Sequence, residues 1–276
     1  MAKEITDLSK YFNALVGNSN HERFISFLRF AVMLFYGGKD PQKMIPFEKN
    51  CYDEYNRVRG DENYYNLFKL IGDKSNNYID ALGDYYQINI SRGDNEQYFT
   101  PQHIATFMAH IGLENNLQEQ ENILDSACGS GRTLLGGASA LKRLGKEPQE
   151  VGFFGVDIDE RCVLLTLFNL CINTLKGGLV KGNALTRECD FSVDIRLYDI
   201  WKGYSQTTGS AFAIAEASLL GFPRYITQWT ASEDKPLWFE HLNNQNESQG
   251  KDSETTPQIP ISIIADKPKV EQLNLF

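Results

Sequence analysis

The chain has 276 residues and a formal net charge of −9, so as a whole it repels phosphate, and any contact with nucleic acid needs a local patch or a partner. Its 42% hydrophobic and 23% charged residues are the balance of a globular protein and exclude a wholly disordered chain. Five cysteines (51, 128, 162, 171 and 189) form no CxxC pair and have no histidine at zinc-ligand spacing, which predicts reduced thiols in a cytosol, with neither metal nor disulfide.

Residues 1–95 read as a helical N-terminal segment. Apolar positions recur at three- and four-residue spacing through Leu8, Phe12 and Leu15 and again through Phe24, Phe27, Leu28 and Ala31, with Gly37, Gly38 and Pro41 as stops. The most apolar stretch, Phe24 to Tyr36, is interrupted by Ser26 and Arg29 and is too short for a membrane span, so a buried helix is expected. No basic region followed by an apolar run marks a secretion signal, and the cytoplasm is the expected location. Further helical stretches are predicted near 46–59, 61–71 and 76–90, and their tyrosines and phenylalanines read as core.

From about residue 98 short apolar runs alternate with helical stretches, which predicts an open α/β sheet and an α/β domain over 96–242. Ile123-Leu124 forms a first strand ending in Asp125. A glycine-containing loop follows, then a helix from about 132 to 144 that Gly145 can cap. Val151 to Val156 makes a second strand ending at Asp157, and Asp159 suits the N-cap of the helix that runs on to Asn173. Gly177-Gly178 reads as a break, Leu179 to Lys181 as a third strand and Val193 to Tyr198 as a fourth. A small-residue helix is expected at 208–220. Residues 243–276 read as a flexible tail, because 243–258 hold almost no large apolar residue to offset ordering entropy.

A strand that opens into Ala127-Cys128-Gly129-Ser130-Gly131 places two glycines where a backbone must turn tightly and admit a ligand closely. Such loops serve nicotinamide, flavin, nucleotide and methyl-donor cofactors alike, and some only turn a corner. Asp157, one βαβ unit downstream, is placed to accept both hydroxyls of a ribose. After the third strand, Asn183 of Gly182-Asn183-Ala184-Leu185 can meet the edge of an adenine ring or simply make a turn.

Taken with Tyr98-Phe99-Thr100-Pro101, the run Asp125-Ser126-Ala127-Cys128-Gly129-Ser130-Gly131 resembles the N6-adenine DNA methylases, in particular the modification subunits of type I restriction-modification systems. Those proteins pair Phe-Thr-Pro with Asp-Pro-Ala-Cys-Gly-Ser-Gly in the same order, and Ser126 stands here in place of the usual Pro. The resemblance covers roughly residues 78–186 and begins at Asp80-Ala-Leu-Gly-Asp-Tyr-Tyr, which looks like the family's helical lead-in. It implies a Rossmann-like methyltransferase fold that binds S-adenosyl-L-methionine and transfers a methyl group to adenine N6 in DNA. It also implies a cofactor site made of Phe99, Thr100, Pro101, Asp125, Ala127, Cys128, Gly129, Gly131, Asp157, Ile158, Asn183 and Ala184. By that resemblance Thr100 and adjacent backbone hold the methionine carboxylate, the loop from Asp125 to Gly131 wraps methionine and ribose, Asp157 binds the ribose and Asn183 borders the adenine. The dinucleotide alternative asks for a third glycine where this chain has Leu134.

The family's Asn-Pro-Pro-Phe or Asp-Pro-Pro-Tyr motif, whose side chain and carbonyl accept from the adenine amine, is absent: no Pro-Pro occurs in the sequence. A flipped base needs an aromatic to stack on and an acceptor aimed at its amine. Asp194, Asp199, Trp201 and Tyr204 supply those chemical types at no recognised spacing, and Gly221-Phe222-Pro223-Arg224 has the wrong order, so no catalytic residue is assigned. The chain also reads as too short after Asn183 for a target-recognition region, so DNA contact is expected through or with a partner subunit. The alternative is a catalytically silent cofactor-binding module. The terminal Gln272-Leu273-Asn274-Leu275-Phe276 is similar to the bacterial sliding-clamp-binding peptide, with Gln272, Leu273, Leu275 and Phe276 as the matching positions, which implies the clamp as a partner.

Overall fold

A computed structural model describes residues 2–36, 41–91, 98–114 and 122–195, the side chains of 2–6 and 114 excepted, and the backbone alone at 226–231, 261–264 and 270–273. The N-terminal part is helical: α1 (Ala2–Asn13), α2 (Asn20–Phe35), α3 (Pro46–Val58), α4 (Glu62–Lys74) and the short α5 (Gly83–Tyr86), which continues as a π-turn through Ser91. Their ends carry local signals. Ser19 accepts from the Glu22 N–H at 3.1 Å, while the Glu22 carboxylate takes the Asn18 N–H at 2.7 Å. Pro46 opens α3, and Asp61 caps α4 by accepting the Asn63 N–H at 2.9 Å. The stretch expected to be helical at 76–90 begins only at Gly83, because Asn77 and Tyr78 adopt φ of 62° and 61°, a left-handed turn that no helix can contain.

The α/β part starts with α6 (Gln102–Glu114), which the sequence reading did not single out. There follow β1 (Ile123–Asp125), α7 (Arg132–Arg143), β2 (Gly152–Asp157), α8 (Glu160–Ile172) and β3 (Lys176–Asn183). Strands β1, β2 and β3 are neighbours in that order and parallel, with Asp125 opposite Gly155 and Asp157 opposite Lys181. This βαβαβ unit is the expected Rossmann-like arrangement, and it gathers the carboxyl ends of three strands at one edge of the sheet. Gly145 ends α7 as expected. With φ +75° it donates to the Lys142 carbonyl at 3.1 Å, and Lys146 donates to Leu141 at 3.0 Å, which is the Schellman pattern. Asp159 caps α8, accepting the Arg161 N–H at 2.9 Å.

Two expectations about the sheet are corrected. Gly177 and Gly178 are not a break but lie inside β3, opposite Phe153 and Phe154. A Cβ at Gly177 would stand 1.7 Å from the Phe153 carbonyl oxygen, so the glycine is there to let two strands approach. The fourth strand is β4 (Glu188–Ile195), earlier than expected, and it turns back antiparallel to β3 with a register shift at Lys181/Gly182. The backbone of β5 (Ile226–Ala231) adds a further antiparallel strand on β4. The backbones of β6 (Ile261–Ile264) and β7 (Val270–Leu273) form a separate antiparallel pair. The helix expected at 208–220, residues 196–198 and the polar stretch 243–258 lie outside the described residues.

One continuous apolar core joins the helices to the sheet. Helix α8 is buried from Cys162 to Ile172, and Phe168 meets Phe27 of α2 edge-on at 5.9 Å between ring centroids and Phe68 of α4 at 6.4 Å. Above this, Phe12, Phe24, Tyr85 and Tyr86 pack ring on ring, with Phe12 and Tyr85 stacked at 4.4 Å. Phe47, Tyr64, Phe68, Tyr85 and Tyr86 are therefore core, as their spacing predicted, whereas Tyr52, Tyr55, Tyr65 and Tyr78 are only partly buried against it and Tyr11 is exposed. No helix among the described residues is long and apolar enough to cross a membrane.

Candidate functional site

The loop from β1 to α7 is shaped by a chain of short-range bonds. The Asp125 carboxylate accepts the Ala127 N–H at 2.9 Å and the Thr133 hydroxyl, which reverses the chain after the strand. Cys128 donates to the Val156 carbonyl at 2.9 Å and Gly131 to the Cys128 carbonyl at 2.7 Å, so the loop lies against β2. Gly129 and Gly131 hold φ of +54° and +80°. A Cβ at Gly129 would meet the Phe99 ring at 3.0 Å, so both the conformation and the contact require glycine.

Asp157 ties the second strand to this loop. One carboxylate oxygen accepts the Gly129 N–H at 2.9 Å and the other the Asp159 N–H at 2.9 Å. Each oxygen keeps a lone-pair direction beyond these bonds, as a ligand hydroxyl would need. Burial pushes its pKa up to about 6 against the two backbone donors, which pull it down. Burial likewise raises the Asp125 carboxyl, opposed by Thr133 and Ala127. Two partly desolvated carboxylates thus sit at the ends of adjacent parallel strands, where burial strengthens any hydrogen bond they accept.

The Phe99-Thr100-Pro101 segment reaches the same place from the other side. Phe99 stacks on Tyr86 with centroids 5.3 Å apart and an interplanar angle of 13°, and its opposite contact is Gly129. The Thr100 carbonyl accepts from Arg132 Nη1 at 3.5 Å, at the start of α7. The Thr100 hydroxyl has no partner among the described residues. Pro101 opens α6 and its carbonyl takes the Ile104 and Ala105 N–H groups at 2.9 and 3.0 Å.

Residues 77–192 match the family model described as N-6 DNA Methylase. That segment, which holds the glycine loop and both acidic strand ends, is DNA-methylase-like. Comparison with curated proteins gives no match. Among solved structures, the methyltransferase subunit of a type I restriction-modification system from Streptococcus thermophilus is similar at 16% identity and a TM-score of 0.30, over 61% of this chain and 54% of that one. The chain thus spans about half the length of that subunit.

The expected site residues are not all placed alike. Phe99, Thr100, Asp125, Ala127, Gly129, Gly131 and Asp157 converge on the loop. Cys128 points its side chain into the core, with its sulfur against Gly155, so only its backbone faces the loop, and burial raises its thiol pKa well above the usual range. Ile158 is exposed beside Asp157, as an apolar residue free to cover a ring. Asn183 stands at the carboxyl end of β3, where its Oδ1 accepts the Leu185 and Thr186 N–H groups at 2.9 and 3.3 Å. That is the turn reading; the Nδ2 group stays without a partner among the described residues. Ala184 packs on the small cluster of Leu124, Val156, Val180 and Cys189 beneath.

Asp194 lies in β4 opposite Gly178, whereas Asp199, Trp201, Tyr204 and 221–224 lie outside the described residues. Of the clamp-like peptide, Gln272 and Leu273 fall in β7 opposite Ser262 and Ile261, and Leu275 and Phe276 lie outside the described residues. None of the five cysteines, all buried, forms a disulfide. Among the described residues no three His, Cys, Asp or Glu side chains gather as for a metal. The sequence reading missed Asp80, Ser130, Arg132, Thr166 and Asn169, which hold the loop from behind. Of these only Asp80 and Ser130 lay in quoted motifs, and nothing local linked them.

Proposed function

We propose that this chain binds S-adenosyl-L-methionine at the β1–α7 loop and belongs to the machinery that methylates adenine N6 in DNA. The observation that carries the reading is the bond from the Gly129 N–H to Asp157. It ties the glycine loop to the acidic end of β2, within the segment that matches N-6 DNA methylases. The donor set suits the cofactor. The Thr100 hydroxyl and the backbone N–H groups at the start of α7 can donate to the amino-acid carboxylate, the Asp157 carboxylate accepts a ribose diol, and Ile158 offers an apolar face to the adenine. When bound, S-adenosyl-L-methionine supplies an electrophilic methyl group, and the chain's part is to hold and orient the donor.

A second reading, a catalytically silent binding module that works beside a partner subunit on DNA, is favoured by one observation: the sequence contains no Pro-Pro pair from which an Asn/Asp-Pro-Pro-aromatic motif could be built. Calorimetry with S-adenosyl-L-methionine tests the shared premise; saturable binding that Asp157→Ala abolishes is expected, and binding unaffected by that change refutes it. Transfer of labelled methyl from the donor into DNA, with and without a partner subunit, separates the two. Label in adenine N6 supports the enzyme, and cofactor binding without any transfer supports the silent module.

A further inference from the structure

Behind the glycine loop lies a fully buried carboxylate that plays no part in the site described above. Asp80 precedes α5, and five donors converge on it. Its Oδ1 accepts the Leu82 and Gly83 N–H groups at 3.2 and 2.8 Å and Asn169 Nδ2 at 3.0 Å. Its Oδ2 accepts the Ser130 hydroxyl and Arg132 Nε, each at 2.7 Å. The donors come from the lead-in to α5, the loop itself, the first turn of α7 and the middle of α8, elements up to 89 residues apart in sequence.

The surroundings are built around this charge. A Cβ at Gly83 would stand 1.9 Å from Asp80 Oδ2 and 2.7 Å from Arg132 Nη2, so the glycine clears space for the pair. Arg132 is the first residue of α7, where a cation opposes the helix dipole and is disfavoured without counter-charge. Asp80 and Asp84, the latter at 2.6 Å from Nη2, supply it. Asn169 turns both of its amide hydrogens to acceptors, Asp80 and the Ser130 carbonyl at 2.8 Å, although its own buried Oδ1 is left without a partner. One helical turn away, Thr166 donates to the Gly129 carbonyl at 2.8 Å. The carbonyls of Gly129 and Ser130 are therefore both drawn back onto α8, and the Ser130 side chain is drawn onto Asp80.

We infer that Asp80 is a positioning residue for the cofactor: with Arg132, Ser130 and Asn169 it fixes the loop in the shape that presents its backbone to the methyl donor. The inference rests on the proposed cofactor site. It explains why an Asp-x-x-Gly sequence stands some fifty residues before the loop that it serves. A buried, fully bonded charge specifies one geometry, because any shift of the loop strands a donor or the carboxylate itself.

The test uses the full chain. Asp80→Asn alone leaves Arg132 buried with part of its counter-charge, so the charge-neutral double variant Asp80→Asn/Arg132→Gln is measured with it, and Ser130→Ala as the mildest change. Thermal melting followed by circular dichroism reports folding, amide hydrogen exchange reports the loop, and calorimetry with S-adenosyl-L-methionine reports the site. Expected for the double variant are a cooperative melt, exchange at Cys128–Arg132 faster by about tenfold or more with α8 unchanged, and donor affinity weaker by about tenfold or more. Exchange and affinity within about twofold of wild type in a folded double variant overturn the inference. If the double variant does not melt cooperatively, Ser130→Ala decides: faster loop exchange at an unchanged melt supports it, and unchanged exchange overturns it. Failure of the wild type to bind the donor refutes the cofactor reading alone, since loop exchange still reports whether Asp80 holds the loop.

Discussion

Replacing Asp157 with asparagine keeps the volume and removes the charge, and the outcome depends on pH in a way the surroundings dictate. The wild-type carboxyl has its pKa pushed from 3.8 up to about 6, chiefly by burial. A raised carboxyl favours the folded state when protonated. Above pH 6 the folded protein carries the full penalty, about 3 kcal/mol for a shift of roughly two units, and the penalty is relieved as pH falls through 6 toward 3.8. Asparagine escapes the penalty at every pH. Its Nδ2, however, must face one of the two N–H groups, Gly129 or Asp159, that the carboxylate accepts, and a buried donor left without an acceptor costs about 1–3 kcal/mol. At pH 7.5 the two effects offset, and the variant should melt close to the wild type. At pH 5 the wild type has regained about 1.4 kcal/mol from this one group and the variant nothing, so the variant should fall behind by roughly 3 °C. Calorimetry at pH 7.5 should show S-adenosyl-L-methionine bound at least about tenfold more weakly, since a hydrogen bond to a charged acceptor contributes about 1.5–3 kcal/mol. Wild-type affinity itself should drop as pH falls below 6, where the carboxylate is lost. A difference in melting temperature that is the same at pH 7.5 and pH 5, or donor affinity within about twofold of wild type, would refute the reasoning.

Gly129→Ala forces a side chain into φ +54° and against the Phe99 ring, so it should lower stability by about 1–2 kcal/mol and abolish donor binding; chemical denaturation and calorimetry check the two effects together. Burial raises the thiols of Cys51, Cys128, Cys162 and Cys171 far above their usual range, so a thiol reagent at pH 8 should label them only as fast as the protein opens, and all five cysteines at once in denaturant. Rapid native labelling of any of these four would contradict the packing. A fluorescent peptide of residues 271–276 should bind a purified bacterial sliding clamp saturably if the terminal Gln272-Leu273-Asn274-Leu275-Phe276 is a clamp ligand; a flat polarisation trace retires that reading.

Much of the local structure was legible in the chain. Strand ends at Asp125 and Asp157, the cap of α8 at Asp159 and the stop of α7 at Gly145 are written in neighbouring residues, because caps, turns and short strands are decided by dihedral preference and by bonds that span a few positions. The loop glycines were legible for the same reason. Gly177-Gly178 was misread because one signal serves two ends: a glycine pair marks a break when the chain is alone and a close approach when another strand lies alongside. The late start of α5 is not legible in the chain because Asn77 and Tyr78 turn left-handed within a sequence whose apolar spacing is helical.

By itself, then, the sequence determined the βαβαβ order and the positions of the glycines and acids along it. The tertiary structure alone decided that β4 returns antiparallel on β3, that Phe99 lies between Tyr86 and Gly129, and that Asp80 gathers Ser130, Arg132 and Asn169 behind the loop. These are contacts between distant segments. They exist because burying the aromatic core of α2, α5 and α8 brings those segments together, and a buried charge must find its partners wherever the core has placed them.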